Sequence, residues 1–172
     1  MTRTHYAAIG LVLLALLGAA YYFFLMPDPL PEEATFEDEF ALVLTDYDGN
    51  DVALADYEDE VLIVYLFASW CPYCGDEMRA LADLKSRYGD QVTVLAVNRA
   101  EPLVDARSFT DKLGIQGLIY LLDKEDALYK DIDGYAMPET VFITEDGEVL
   151  FHQRGPIKVP ELEAKIAELL AQ

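Results

Sequence analysis

The chain is short of cysteine, histidine and basic residues, and each shortage excludes something. Of 172 residues two are Cys, two are His, and 12 are Lys or Arg against 32 Asp or Glu. Two cysteines cannot build a multi-disulfide framework, and they supply only half the ligands of a structural zinc site. The histidines do not make up the difference. His5 lies near the amino terminus, and His152 stands alone near the carboxyl end, where it reads as a surface residue. No metal and no small cofactor is therefore expected. The formal net charge of -20 sets the chain against nucleic acid and against lying flat on an anionic membrane. Composition leaves three readings of that acidity open: a solvated surface, adaptation to high salt, and steering toward a basic partner. No cysteine stands near the amino terminus, which excludes lipid attachment through an amino-terminal cysteine. No internal repeat or low-complexity tract is present.

Charge is also missing from residues 7–26, AAIGLVLLALLGAAYYFFLM. As a helix these 20 residues span about 30 Å, the thickness of a bilayer core. Arg3 precedes the run, and Asp28, Glu32, Glu33, Glu37, Asp38 and Glu39 follow it. The positive-inside rule puts the first residues in the cytoplasm and everything after Met26 outside. Tyr21 and Tyr22 fall at the outer interface. Gly18-Ala19-Ala20 offers a signal-cleavage site, but the apolar run continues past it, which favours a retained anchor over a cleaved signal. The expected organisation is a single-pass anchor in the cytoplasmic membrane over 1–26 and a stiff acidic linker with Pro27, Pro29 and Pro31 over 27–35. One folded, extracytoplasmic domain covers 36–172.

Within that domain the pattern alternates. Phe40 to Leu44 reads as a strand, Asp48-Gly49-Asn50 as a turn, and Val52 to Leu54 as a return strand. Val61 to Ala68 is an apolar run of strand length, buried on both faces. A helix follows from about Pro72 to Tyr88, with Met78, Leu81 and Leu84, together with Ala82 and Tyr88, on its apolar side and Gly89 as its stop. Gln91 to Val97 is β-rich, Pro102 to Leu113 helical with Gly114 as its stop, Leu118 to Leu122 a short strand, and Glu125 to Asp131 a short helix. Thr140 to Thr144 and Val149 to His152 flank Glu145-Asp146-Gly147 as a hairpin, and Pro160 to Leu170 forms a final helix. Strand–helix alternation implies parallel strands with right-handed crossovers in the first half.

Both cysteines sit where the long strand meets its helix, in Trp70-Cys71-Pro72-Tyr73-Cys74. A helix start offers unpaired N–H groups and partial positive charge, which favour thiolate. The thiolate is the species that attacks a disulfide. Export exposes the pair to oxidation. The loop it closes is too small for a useful staple, so it reads as a working disulfide.

This order, with Ala68-Ser69-Trp70-Cys71-Pro72-Tyr73-Cys74 after the buried strand, resembles the thioredoxin fold. More narrowly, it resembles the membrane-anchored extracytoplasmic reductases of the TlpA, ResA and DsbE/CcmG type, over about Phe36 to Leu170. The implied fold is α/β: a central mixed sheet with an N-terminal β-hairpin and an inserted β-α element, preceded by one transmembrane helix. Met137-Pro138-Glu139-Thr140 matches the family's cis-proline segment. There Pro138 would face the cysteines and Met137 would offer its backbone to an extended substrate. Glu77, three residues after Cys74, matches a glutamate of the group and would accept the proton of Cys74. Ile119 to Tyr135 matches the insert; its Asp123, Glu125, Asp126, Asp131 and Asp133 suggest a role in choosing partners. Two positions depart from the pattern. Tyr65 stands where thioredoxin has a buried aspartate, which leaves Glu77 as the internal base. Arg79 follows Met78 where a proline is common.

The resemblance implies a thiol-disulfide oxidoreductase working as a monomer, reducing disulfides in exported protein substrates and recharged by a membrane thiol electron donor. Cys71 would be the exposed nucleophile and Cys74 the resolving thiol, with Trp70 and Tyr73 forming an apolar rim. Apocytochrome c cysteines are the substrate that the DsbE-like features imply. Rival readings are a thiol oxidase running the same exchange backwards, and copper handling by Cys71, Cys74 and a methionine such as Met137.

Overall fold

The structure, a computed structural model, describes residues 42–57, 61–144 and 149–171. The expected anchor, the proline linker, the start of the first strand and the Glu145-Asp146-Gly147 turn lie outside the described residues. Among the described residues no helix is long and apolar enough to cross a membrane.

Among the described residues seven strands form one sheet. In chain order they are β1 (Val43–Asp46), β2 (Asp51–Ala53), β3 (Leu62–Phe67), β4 (Thr93–Arg99), β5 (Ile119–Asp123), β6 (Glu139–Ile143) and β7 (Val149–Arg154). Among the described residues four α-helices accompany them: α1 (Cys74–Tyr88), α2 (Leu103–Leu113), α3 (Ala127–Asp131) and α4 (Val159–Leu169). The sheet order is β2-β1-β5-β4-β3-β6-β7. β3 runs parallel to β4 and β4 to β5; the other neighbours are antiparallel. β5 is thus the outer strand of the parallel centre and the one on which the β1–β2 hairpin pairs.

Local chemistry explains the elements. The first hairpin turns on Asp46, whose carboxylate accepts the N–H groups of Asp48 and Asn50 and the amide of Asn50 at 2.8–2.9 Å. That closure carries β1 through Asp46, two residues beyond the Leu44 expected from hydropathy. All six residues of β3 are buried, as a strand covered on both faces requires. Its alternate side chains feed two cores. Ile63, Tyr65 and Phe67 join Met78, Leu81 and Leu84 of α1 and Leu162, Ile166 and Leu169 of α4, with Phe109 and Leu113 of α2 packed against them. Leu62, Val64 and Leu66 face the other way, toward Leu128 and Tyr129 of α3. Two successive parallel crossovers in the same direction place α1 and α2 on one face of the sheet; the insert sends the chain back across the other face.

Helix α1 starts at Cys74, two residues later than the sequence pattern suggests, because Pro72 and Tyr73 form a turn, with Tyr73 as the N-cap. It ends as expected at Gly89, which has φ 60° and donates its N–H to Lys85 O. Gly114 ends α2 in a left-handed conformation.

Candidate active site

The two cysteines form a disulfide, with S–S 2.08 Å and Cα–Cα 5.5 Å. It lies between the end of β3 and the first residue of α1. The Cys71 N–H donates to Ala68 O at 3.1 Å, which closes the turn leading into the pair. Cys74 is fully covered and Cys71 is only 4 % exposed. The expectation of an exposed Cys71 therefore needs correcting for the disulfide state: both residues are buried, Cys71 by the smaller margin. The exposed groups are its neighbours. Trp70 and Tyr73 are 63 % and 59 % exposed, and Tyr135 from the opposite loop is exposed as well.

Beneath the disulfide lies a polar layer. The β3–β6 register sets Tyr65 beside Thr140, and α1 brings Glu77 to the same place. The Tyr65 hydroxyl donates to Cys74 O at 3.0 Å, and burial holds its phenol far above the usual range. Glu77 is 6 % exposed. Its Oε1 accepts the Thr140 hydroxyl at 3.2 Å and its Oε2 the Ile157 N–H at 3.1 Å. Burial pushes its pKa from an ordinary 4.5 up to about 7, and the two hydrogen bonds oppose the rise without cancelling it. A groove of about 330 Å³ lined by Tyr73, Ala80, Ile157 and Pro160 reaches Glu77 from the surface.

The Met137–Pro138 peptide bond is cis. Met137 packs against the core cluster that holds both cysteines. Glu139 is completely buried. Its Oε1 accepts the N–H groups of Tyr135 and Ala136 at 2.7 and 2.6 Å, and its Oε2 lies 2.7 Å from His152 Nε2. Glu77 is therefore not the lone internal carboxyl, and His152 is not a surface residue: its side chain is 14 % exposed. The influences on the ring conflict. Burial, the largest, disfavours imidazolium, Glu139 favours it and the Arg154 charge opposes it, so the pKa falls below the ordinary 6.5. A carboxyl directly after the cis-proline was visible in the sequence; its partner 13 residues away was not.

A further carboxyl, Glu101, also escapes a reading of motifs. It accepts the Ser69 N–H and hydroxyl at 2.7 and 2.5 Å and the Asn98 amide at 2.7 Å. The β3–β4 register pairs Phe67 with Asn98, so the loops leaving both strands meet and Glu101 fixes the approach to Trp70-Cys71. The one available signal was topological: side chains converge at the carboxyl ends of parallel strands.

The acidic insert is less available than expected. Asp123 is 1 % exposed and caps α3 by accepting the N–H groups of Ala127 and Tyr129 at 2.7 and 3.0 Å. Asp126 holds Arg99 through two hydrogen bonds of 3.0 and 3.1 Å. Glu125, Asp131 and Asp133 remain exposed. Among the described residues no three His, Cys, Asp or Glu side chains group to hold a metal ion.

The Redoxin family model matches residues 28–167. The thiol-disulfide oxidoreductase ResA of Geobacillus kaustophilus is 32% identical over 145 residues, covering 83% of this chain and 81% of the relative. The thiol:disulfide interchange protein DsbE of Vibrio cholerae is 26% identical over 113 residues, 66% of this chain and 60% of the relative. A secreted Mycobacterium tuberculosis disulfide oxidoreductase homologous to DsbE superposes with a TM-score of 0.69 at 19% identity, over 77% of this chain and 99% of that one. The fold is thus thioredoxin-like. With a Cys-x-x-Cys pair at disulfide distance on that fold, the chain belongs to the Redoxin family and is a thiol-disulfide oxidoreductase of the ResA/DsbE type.

Proposed function

We propose that the protein is a membrane-anchored, extracytoplasmic reductase of disulfides in exported proteins. The observation that carries this reading is the buried Glu77, pKa about 7, in the first turn of the helix that begins at Cys74. In the reduced enzyme the Cys71 thiolate attacks one sulfur of a substrate disulfide. That bond breaks, one substrate thiolate leaves, and a mixed disulfide with Cys71 forms. Cys74 gives its proton to the Glu77 carboxylate and attacks Cys71 Sγ. The second substrate thiolate departs and takes up a proton, and two electrons have passed from the dithiol to the substrate. A membrane thiol donor recharges the pair by the same exchange in reverse. Trp70 and Tyr73 form the rim, and Met137–Pro138 aligns the substrate backbone. Residues 1–26 supply the single-pass anchor, amino terminus inside, and the domain acts as a monomer. Cysteine pairs of apocytochrome c are the substrate class that the resemblance of the Met137-Pro138-Glu139-Thr140 segment to the DsbE/CcmG branch implies.

The test is the reduction potential of the Cys71/Cys74 couple, measured by equilibration with dithiothreitol or glutathione buffers. A value near or below about -220 mV supports a reductase; one near about -120 mV makes the protein a disulfide donor. Cys74→Ser should accumulate mixed disulfides with exported proteins, seen as thiol-sensitive bands on non-reducing gels, whereas Cys71→Ser should accumulate none.

A further inference from the structure

We propose that His152 is a positioning residue for substrate binding: through the buried Glu139 carboxyl it holds the loop from Tyr135 to Pro138 in the shape that offers the Met137 backbone to a peptide. The inference rests on the proposed reading that this loop aligns the substrate.

Glu139 directly follows the cis bond and has no access to water. A buried carboxyl must spend its lone pairs on protein donors or lose the free energy of desolvation. Oε1 is satisfied by the Tyr135 and Ala136 N–H groups. Oε2 depends on His152, with the ring proton on Nε2 as donor. The strand register explains why His152 reaches it. β6 and β7 pair Glu139 with Arg154 and Val141 with His152, so Glu139 and His152 are diagonal neighbours on one face, a separation that long side chains span. The charged groups facing the ring are Glu139 from β6 and Arg154 from its own strand. Two other bonds complete the clamp: the Tyr129 hydroxyl donates to Ala136 O at 3.1 Å, and the Gly155 N–H donates to Pro138 O at 2.8 Å. The clamp grips backbone on both sides of Met137 and uses no group of Met137 itself. Losing His152 would free one carboxyl oxygen to seek another donor and let the carboxyl turn away from Tyr135 and Ala136.

The experiment uses the full chain in detergent, a synthetic peptide carrying one internal disulfide, and dithiothreitol as the electron donor, with the rate without enzyme subtracted. Wild type is compared with His152→Leu, His152→Gln and Cys71→Ser. His152→Leu is expected to raise KM about fivefold, the weight of roughly one hydrogen bond, with kcat within twofold and the Cys71/Cys74 potential unchanged. His152→Gln, which keeps an N–H donor within reach of Oε2, is expected to restore KM. Should His152→Leu not fold, His152→Asn, whose amide is one carbon shorter, takes its place. An unchanged KM in His152→Leu overturns the proposal, as does a loss in kcat or a shifted potential in its place, or a KM that Gln does not restore. Cys71→Ser separates the two failures. If it reduces the peptide as wild type does, the reductase reading itself falls; if it is inactive while His152→Leu matches wild type, only the role of His152 falls.

Discussion

Glu77 carries the most consequence for a single side chain, because its proton is set by burial. A carboxyl whose pKa rises from 4.5 to about 7 on folding is disfavoured in its ionised form inside the protein. Its stabilising share is complete below about pH 4.5 and is lost as pH climbs through about 7. Glu77→Gln should therefore remove a loss of stability on the order of 2 kcal/mol between pH 4.5 and 8, a figure already reduced for partial solvent screening; urea unfolding across that range reads it. The same substitution should slow resolution of the mixed disulfide by roughly 100-fold and abolish the near-neutral inflection in its rate, followed by stopped-flow. Gly134 makes a different demand. A Cβ there would lie 2.5 Å from the Tyr129 ring and 2.7 Å from its carbonyl oxygen. Gly134→Ala should cost about 1–3 kcal/mol in denaturant unfolding and displace the tyrosine that holds Ala136.

At the scale of elements, α1 couples packing to the proposed chemistry. Cys74, Glu77, Met78, Leu81 and Leu84 share its buried side, so the apolar contacts that seat the helix also fix Cys74 and Glu77, the proposed resolving thiol and base. Leu81→Ala should destabilise the domain by about 2–5 kcal/mol, measured by thermal or urea unfolding in the oxidised form. What was legible in the sequence divides along a physical line. The all-apolar β3, the 3–4 spacing of Met78, Leu81 and Leu84, and the glycine stops at 89 and 114 are short-range patterns, and they place the strand, helix and cysteines to within two residues. Glu101 and His152 act across 32 and 13 residues, through strand registers that no local pattern encodes. A histidine flanked by Phe151 and Gln153 looks like any alternating strand residue; only the pairing of Val141 with His152 reveals what it faces. The acidic insert misled for a related reason. Composition counts Asp123 and Asp126 as surface charge, whereas one caps a helix and the other holds an arginine.

At the scale of the whole molecule, a net charge of -20 is a standing repulsion. The ion pairs among the described residues are mostly exposed and do little to offset it. Raising salt from about 0.05 to about 0.5 M shortens the screening length severalfold. It should raise Tm by several degrees at pH 7, observed by circular dichroism, and speed the reduction of acidic substrate peptides relative to basic ones. The bond between Glu77 and Ile157 joins positions 80 residues apart in the chain. Because that amide proton points at the titrating oxygen, its chemical shift is a native indicator of the charge on Glu77. A single nitrogen-15 label at Ile157 would let the protonation of the base be followed through each redox state, with no probe placed in the active site.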